Sequence, residues 1–173
     1  MLSLSDNEFS VLNFLVRNFT EKLTIRSIAQ RLNFSSAGVF NILKKLEKSN
    51  IVAGQKLGTG LFYSINLDNK VAEHLAAIVL LYSEEKSIGV NLEQLKQAKA
   101  AILEKKSLLL ITDSVTTIDA AIPNIEITAK TEDEFIGLLK RKDDSIMKLL
   151  RKGTVLFGED KIVEAIKNCI FRL

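Results

Sequence analysis

The segment Thr24 to Val52, TIRSIAQRLNFSSAGVFNILKKLEKSNIV, constrains the fold more than any other stretch of the chain. Thr24 is placed to cap a short helix, Ile25 to Leu32, with Ile28, Ala29 and Leu32 on one face. Only Asn33-Phe34-Ser35 separates it from a second amphipathic run, which Ser35 or Ser36 caps and in which Val39, Leu43 and Leu46 form a stripe beside Ile42. Two helices joined by so short a turn must cross closely, and Ala29 supplies the small residue at the crossing. Four residues on, Asn33 is a residue type that accepts positive φ where the turn demands it. Ile25, Ile28, Leu32, Phe34, Val39, Leu43, Leu46 and Ile51 then converge on one core. Ser36, Ala37, Phe40, Asn41, Lys44 and Lys45 are left facing outward. Small and polar side chains at the start of such a helix fit base edges in a major groove, and Lys44 and Lys45 fall where phosphates lie.

The flanks extend the pattern. Ser5 or Asp6 caps a preceding helix that carries Phe9, Leu12, Leu15 and Val16 at helical spacing. After Asn50, suited to a left-handed helix stop, the β-prone runs Ile51 to Leu57 and Leu61 to Leu67 surround Gly58-Thr59-Gly60, a hairpin tip. The first 67 residues therefore read as three helices and a hairpin. Charge is uneven along the chain. Up to Asn66, Arg17, Lys22, Arg26, Arg31, Lys44, Lys45, Lys48 and Lys56 face only Asp6, Glu8, Glu21 and Glu47, a balance of +4 within a total of +3. A basic N-terminal third on a near-neutral remainder points to nucleic acid at that end.

These residues resemble the winged helix-turn-helix of bacterial and archaeal transcriptional regulators of the MarR and ArsR kinds, over about residues 5–67. The resemblance implies that the third helix reads a major groove through Ser36, Ala37, Asn41 and Lys44. It implies that the hairpin is a wing reaching flanking phosphates through Lys56 and Thr59. Two departures stand out: Asn41 occupies a position often held by Arg, and the tip Leu57-Gly58-Thr59-Gly60-Leu61 has no Arg. Asn41 keeps the capacity for a bidentate pair with adenine. A winged helix used for protein contacts is the alternative reading of the same residues.

Beyond the hairpin, Asn69 to Glu84 reads as a helix that is apolar nearly all round from Leu75 to Tyr82, so it needs cover on more than one side. Packing inside the chain and a dimer interface both supply that cover. Leu92, Leu95, Ala98 and Ile102 follow a helical period. Leu108 to Ile111, Val115 to Ile118 and Ile125 to Ala129 read as strands, and Thr131 with Glu134 forms a capping box opening a helix to about Lys140. Asp143 or Asp144 starts a helix to Arg151, followed by a short strand, Thr154 to Phe157, and a last helix from about Asp160. Residues 125–168 resemble the second half of archaeal minimal nucleotidyltransferase domains, through the Thr131-x-x-Glu134-Phe135 helix start and the stretch Gly153-x-x-Leu156-x-Gly158. That resemblance implies a Gly-Ser and an Asp-x-Asp metal pair earlier in the domain. Here Thr112-Asp113-Ser114-Val115-Thr116-Thr117-Ile118-Asp119 has neither, and Asp113 and Asp119 stand at the wrong spacing to share Mg²⁺.

Composition excludes further chemistry. His74 is the single histidine and Cys169 the single cysteine, so a histidine-based metal or nucleophilic site has no second member and a disulfide framework is impossible. The start of the chain lacks a secretory pattern, and the longest apolar run is far shorter than a membrane span. The expectation is an α+β chain with a winged helix-turn-helix over 1–67, a linker or dimerisation helix over 68–89, and a small nucleotidyltransferase-like α/β domain over 90–173. Its expected role is that of a cytoplasmic, non-enzymatic regulator that binds double-stranded DNA as a homodimer, with no cofactor or metal, no membrane, and a small-molecule effector as a further partner. The DNA-binding residues are Ser36, Ala37, Asn41, Lys44, Lys45, Lys56 and Thr59. A divergent nucleotidyltransferase using Asp113 and Asp119, and an antitoxin-like protein-interaction module, are the alternatives.

Overall fold

The computed structural model describes residues 4–82, 92–95, 97–114 and 122–170. The backbone divides into two compact units, at residues 79 and 80. In the first, α1 (Asp6–Arg17), α2 (Ile25–Leu32) and α3 (Ser36–Lys48) precede an antiparallel hairpin, β1 (Val52–Leu57) and β2 (Gly60–Ile65). The starts of all three helices are local hydrogen-bond solutions. Ser5 and Glu8 form a reciprocal capping box on α1, Thr24 and Ser27 form one on α2, and the Ser35 hydroxyl accepts from the Gly38 N–H on α3. Asn33 closes α2 at φ 56° and Asn50 follows α3 at the same φ, so both asparagines take the left-handed conformation foreseen for them. Val11, Leu12, Leu15, Ile28, Ala29, Val39, Leu43, Leu46 and Ile51 are buried. The hairpin turns at Gly58 and Thr59, with positive φ at Gly58 alone, as a II′ turn requires. Leu23 adds a single bridge to Tyr63, whose N–H donates to the Leu23 carbonyl at 2.8 Å.

Helix α4 (Lys70–Leu81) starts against the end of α3. The carbonyl of Asn50 accepts from the side-chain amides of both Asn66, at 3.1 Å, and Asn69, at 2.9 Å. The Asn69 side-chain oxygen in turn accepts from the Val71 N–H. Ala72, Ala76 and Val79 are buried on one side of α4, while Val71 and Ile78 are exposed on another.

The second unit holds a four-stranded mixed sheet in the order β5-β4-β3-β6, formed by β3 (Ala100–Glu104), β4 (Ser107–Thr112), β5 (Glu126–Thr131) and β6 (Thr154–Phe157). Only β4 and β5 run parallel. Helix α5 (Glu132–Lys140) packs on β4 and β5, whereas α6 (Asp144–Lys152) and α7 (Glu159–Ile170) pack on β3. On the opposite face Ala101, Leu103, Leu108 and Leu110 join Leu95 and Ile122 in a second apolar layer. The helix expected across Leu92, Leu95, Ala98 and Ile102 is not there. A 3₁₀ turn, Leu92–Leu95, precedes strand β3. The central strand is buried on both faces, so its run Ala100-Ala101-Ile102-Leu103 shows no alternation to separate strand from helix. The expected strand Val115 to Ile118 lies outside the described residues.

Candidate nucleic-acid interface

The outward face of α3 follows from where its core stripe points. With Val39, Leu43 and Leu46 buried, Ser36, Ala37, Phe40, Asn41, Lys44, Lys45 and Lys48 are exposed. Ser36, Ala37, Phe40, Asn41 and Lys44 thus lie on the solvent side of a helix whose N-terminal turn is held by Ser35. Phe40 is 44 % exposed, a large apolar ring on an otherwise small and polar surface. Such a ring suits contact with a thymine methyl group.

The two adjacent lysines differ in their surroundings. Lys44 pairs with Glu47 one turn along the same helix at 2.9 Å, and this neighbour holds the ammonium above its ordinary range. That pair is exposed, and a phosphate can replace Glu47 at little cost. Lys45 instead reaches Glu8 of α1 at 2.7 Å, and the Glu8 side chain is only 6 % exposed. Burial pushes Glu8 upward, but hydrogen bonds from Lys45 and from the Ser5 N–H, with the lysine charge, leave its carboxyl below the usual value. Lys45 therefore ties α3 to α1 as well as presenting charge. This role was not legible from the third helix alone, because the partner lies 37 positions earlier in the chain.

On the hairpin, Lys56 and Thr59 are both exposed, Lys56 on β1 opposite Leu61 and Thr59 in the turn. Leu57 and Leu61 are exposed beside them, so the tip is more apolar than cationic. Arg26 and Gln30 of α2 are also exposed, Arg26 with no ion-pair partner among the described residues. Sequence reasoning did not single out Arg26, since a lone surface arginine carries no pattern. Arg31 is engaged locally: it pairs with Glu21, donates to Asn18 and lies 4.6 Å from the centre of the Phe14 ring.

Three helices with a tight α2–α3 turn, followed by a β-hairpin, make the N-terminal unit a winged helix-turn-helix, the architecture of DNA-binding regulators. Residues 2–58 match the profile of the MarR family, a span from α1 through β1 to the tip of the hairpin. The match makes this region similar to transcriptional regulators that bind DNA. No curated protein and no solved structure matches the chain.

In the C-terminal unit Asp113 pairs with Lys99, and Glu132 approaches the same ammonium at 3.4 Å. The Asp113 bond is the main reason that the lysine is held above its ordinary range. Asp119, the other carboxylate considered for a shared metal, lies outside the described residues. Among the described residues no group of three or more His, Cys, Asp or Glu side chains is arranged to hold a metal ion. His74 is exposed on α4, and Cys169 is buried in α7, where desolvation raises its thiol. No helix among the described residues is long and apolar enough to cross a membrane.

Proposed function

We propose that the chain is a sequence-specific regulator of transcription that binds double-stranded DNA as a homodimer in the cytoplasm, without catalysis. The observation that carries this reading is the exposed α3 face, Ser36, Ala37, Phe40, Asn41 and Lys44, on a rigidly capped helix of a winged helix-turn-helix. Ser36, Ala37 and Asn41 address base edges, and Lys44 and Lys45 address phosphates. Lys56 and Thr59 bring the wing to the flanking backbone. Pairing of two copies is supported by α4, where Val71 and Ile78, two turns apart on one side of the helix, are 51 % and 53 % exposed. Two recognition helices per particle match two half-sites.

The boundaries assigned to the linker helix, 68–89, and the C-terminal domain, 90–173, belong to the same proposal. So does the relation of that domain to nucleotidyltransferases, with its catalytic carboxylates lost. The domain offers a small-molecule effector an open recess of about 450 Å³ lined by Lys130, Asp133, Glu134, Gly137, Leu138 and Arg141.

The test is fluorescence anisotropy with a randomised duplex pool, followed by selection of bound sequences. The expected result is salt-dependent binding with an enriched motif. Asn41→Ala should flatten one position of that motif by about 1–3 kcal/mol while leaving the rest. Binding no stronger than that of an unrelated protein of the same charge, or an enrichment unchanged by Asn41→Ala, overturns the reading.

A further inference from the structure

Strand β5 ends the sheet, with β4 on one side and no strand on the other among the described residues. The hydrogen-bond pattern fixes which of its backbone groups point outward. The Glu126 N–H donates to the Lys106 carbonyl at 2.7 Å, on the β4 side. In a parallel ladder alternate residues bond to the same neighbour, so Glu126, Thr128 and Lys130 face β4 with both their N–H and C=O groups. Ile127 and Ala129 therefore direct their N–H and C=O groups to the open edge. Next along the chain, the Thr131 N–H is taken by Glu134, and the Ile125 N–H by the Ile122 carbonyl. Among the described residues the row of outward groups without a partner is thus two residues long, Ile127 and Ala129.

We propose that a second copy of this chain pairs with this edge, β5 against β5, antiparallel about a two-fold axis at Thr128. The inference rests on the homodimer reading above and is independent of DNA binding. In this register Ile127 stands opposite Ala129 of the other copy, and each such pair exchanges two backbone hydrogen bonds. Every outward group of the row is then used and no group already bonded to β4 is required. Thr128 meets its own equivalent. Glu126 meets Lys130, twice, by symmetry. Neither Glu126 nor Lys130 has an ion-pair partner among the described residues, and both side chains lie on the face where the register places them together. A shift of two residues either way preserves the backbone parity but sets Glu126 opposite Thr128, or Lys130 opposite Thr128, and loses both charge pairs. Charge complementarity therefore selects the register centred on Thr128. No proline or bulge blunts the edge between Glu126 and Thr131, and its charges, Glu126 and Lys130, are of opposite sign, so they oppose like-register pairing but match each other across the two-fold. A perpendicular two-fold keeps the faces of the sheet aligned, so both α5 helices lie on one side of a continuous eight-stranded sheet.

The test places a cysteine on the axis of the full chain. In a Cys169→Ser background, Thr128→Cys is oxidised with glutathione disulfide and followed on non-reducing gels, with Lys106→Cys, at the exposed β3–β4 turn, as the control. Thr128→Cys should form a covalent dimer much faster than the control, since directly opposite residues of such a pair are within disulfide reach. Adding Lys130→Glu should slow cross-linking about tenfold, and adding Glu126→Lys to that variant should restore it. Equal rates for Thr128→Cys and Lys106→Cys overturn the proposal, as does failure of the charge exchange to restore the rate. Sedimentation velocity of the unaltered protein separates the two levels. A dimer whose Thr128→Cys variant does not cross-link refutes this interface and leaves the homodimer standing, whereas a monomer refutes both.

Discussion

Replacing Lys45 by Met tests whether its pair with Glu8 fastens α3 to α1. The two charges lie 2.7 Å apart, and at an effective dielectric constant of about 20 their gross attraction is about 6 kcal/mol. Most of this is offset, because Glu8 loses nearly all its water while the lysine, 54 % exposed, keeps much of its own. The Ser5 N–H, donating to Glu8 at 2.8 Å, survives the substitution and limits the loss further. The expected cost of Lys45→Met at neutral pH is therefore about 1–2 kcal/mol, between the value of an exposed pair and that of a fully buried one. Glu8→Gln is a suitable second arm, because glutamine retains the capping box and deletes only the charge. A double-mutant cycle in urea should return a coupling of about 1 kcal/mol. The pH dependence supplies an independent sign. Glu8 is held below its ordinary value in the folded protein, so its contribution is present above the usual carboxylate range and lost as pH falls through the lowered value. Without Lys45, burial dominates, the carboxyl titrates higher, and acid unfolding should begin at higher pH. The gap between wild type and Lys45→Met should then close once Glu8 is protonated in both. A coupling within 0.3 kcal/mol of zero, or a gap that persists unchanged into acid, refutes the argument.

Three further outcomes are expected. Glu47→Gln releases Lys44 and should tighten DNA binding at low salt, whereas Lys44→Ala should weaken it uniformly across sequences and lower the salt slope by about 1, both read by anisotropy titration. Asn33→Ala keeps the β-carbon at φ 56° but loses the short polar side chain that eases the left-handed conformation, and should cost about 1 kcal/mol in urea denaturation, while Asn33→Gly, with no β-carbon, should be close to neutral. Gly158→Ala should destabilise the C-terminal unit by about 3 kcal/mol or prevent its folding, because at φ 74° the added carbon collides with the Lys99 carbonyl and the Ala100 backbone. Circular dichroism of the purified variant checks it.

What could be read from the sequence was what depends on neighbours in the chain. Ser5, Thr24, Ser35, Thr131 and Asp143 all cap the helices they precede, because a cap is a hydrogen bond spanning two or three residues. The outward face of α3 was legible for the same reason, as the complement of its apolar period. Strand β3 was not. It lies between β4 and β6, and the turn that begins its hairpin with β4 uses Lys105 at φ 55° instead of glycine or asparagine. Neither its burial on both faces nor its turn leaves a local mark. The division of labour between Lys44 and Lys45 was hidden as well, since only the assembled unit brings Glu8 beside one of them.

The doubly used carbonyl of Asn50 has a mechanical consequence. It sits immediately beyond the end of α3 and is gripped by Asn66, after the hairpin, and Asn69, at the start of α4. Helix α3, the strand that leaves the hairpin and α4 thus meet at one oxygen. Because both bonds end on one oxygen past the C-terminal end of α3, a displacement of the start of α4 would load that end of the helix, the end opposite Ser36 and Ala37.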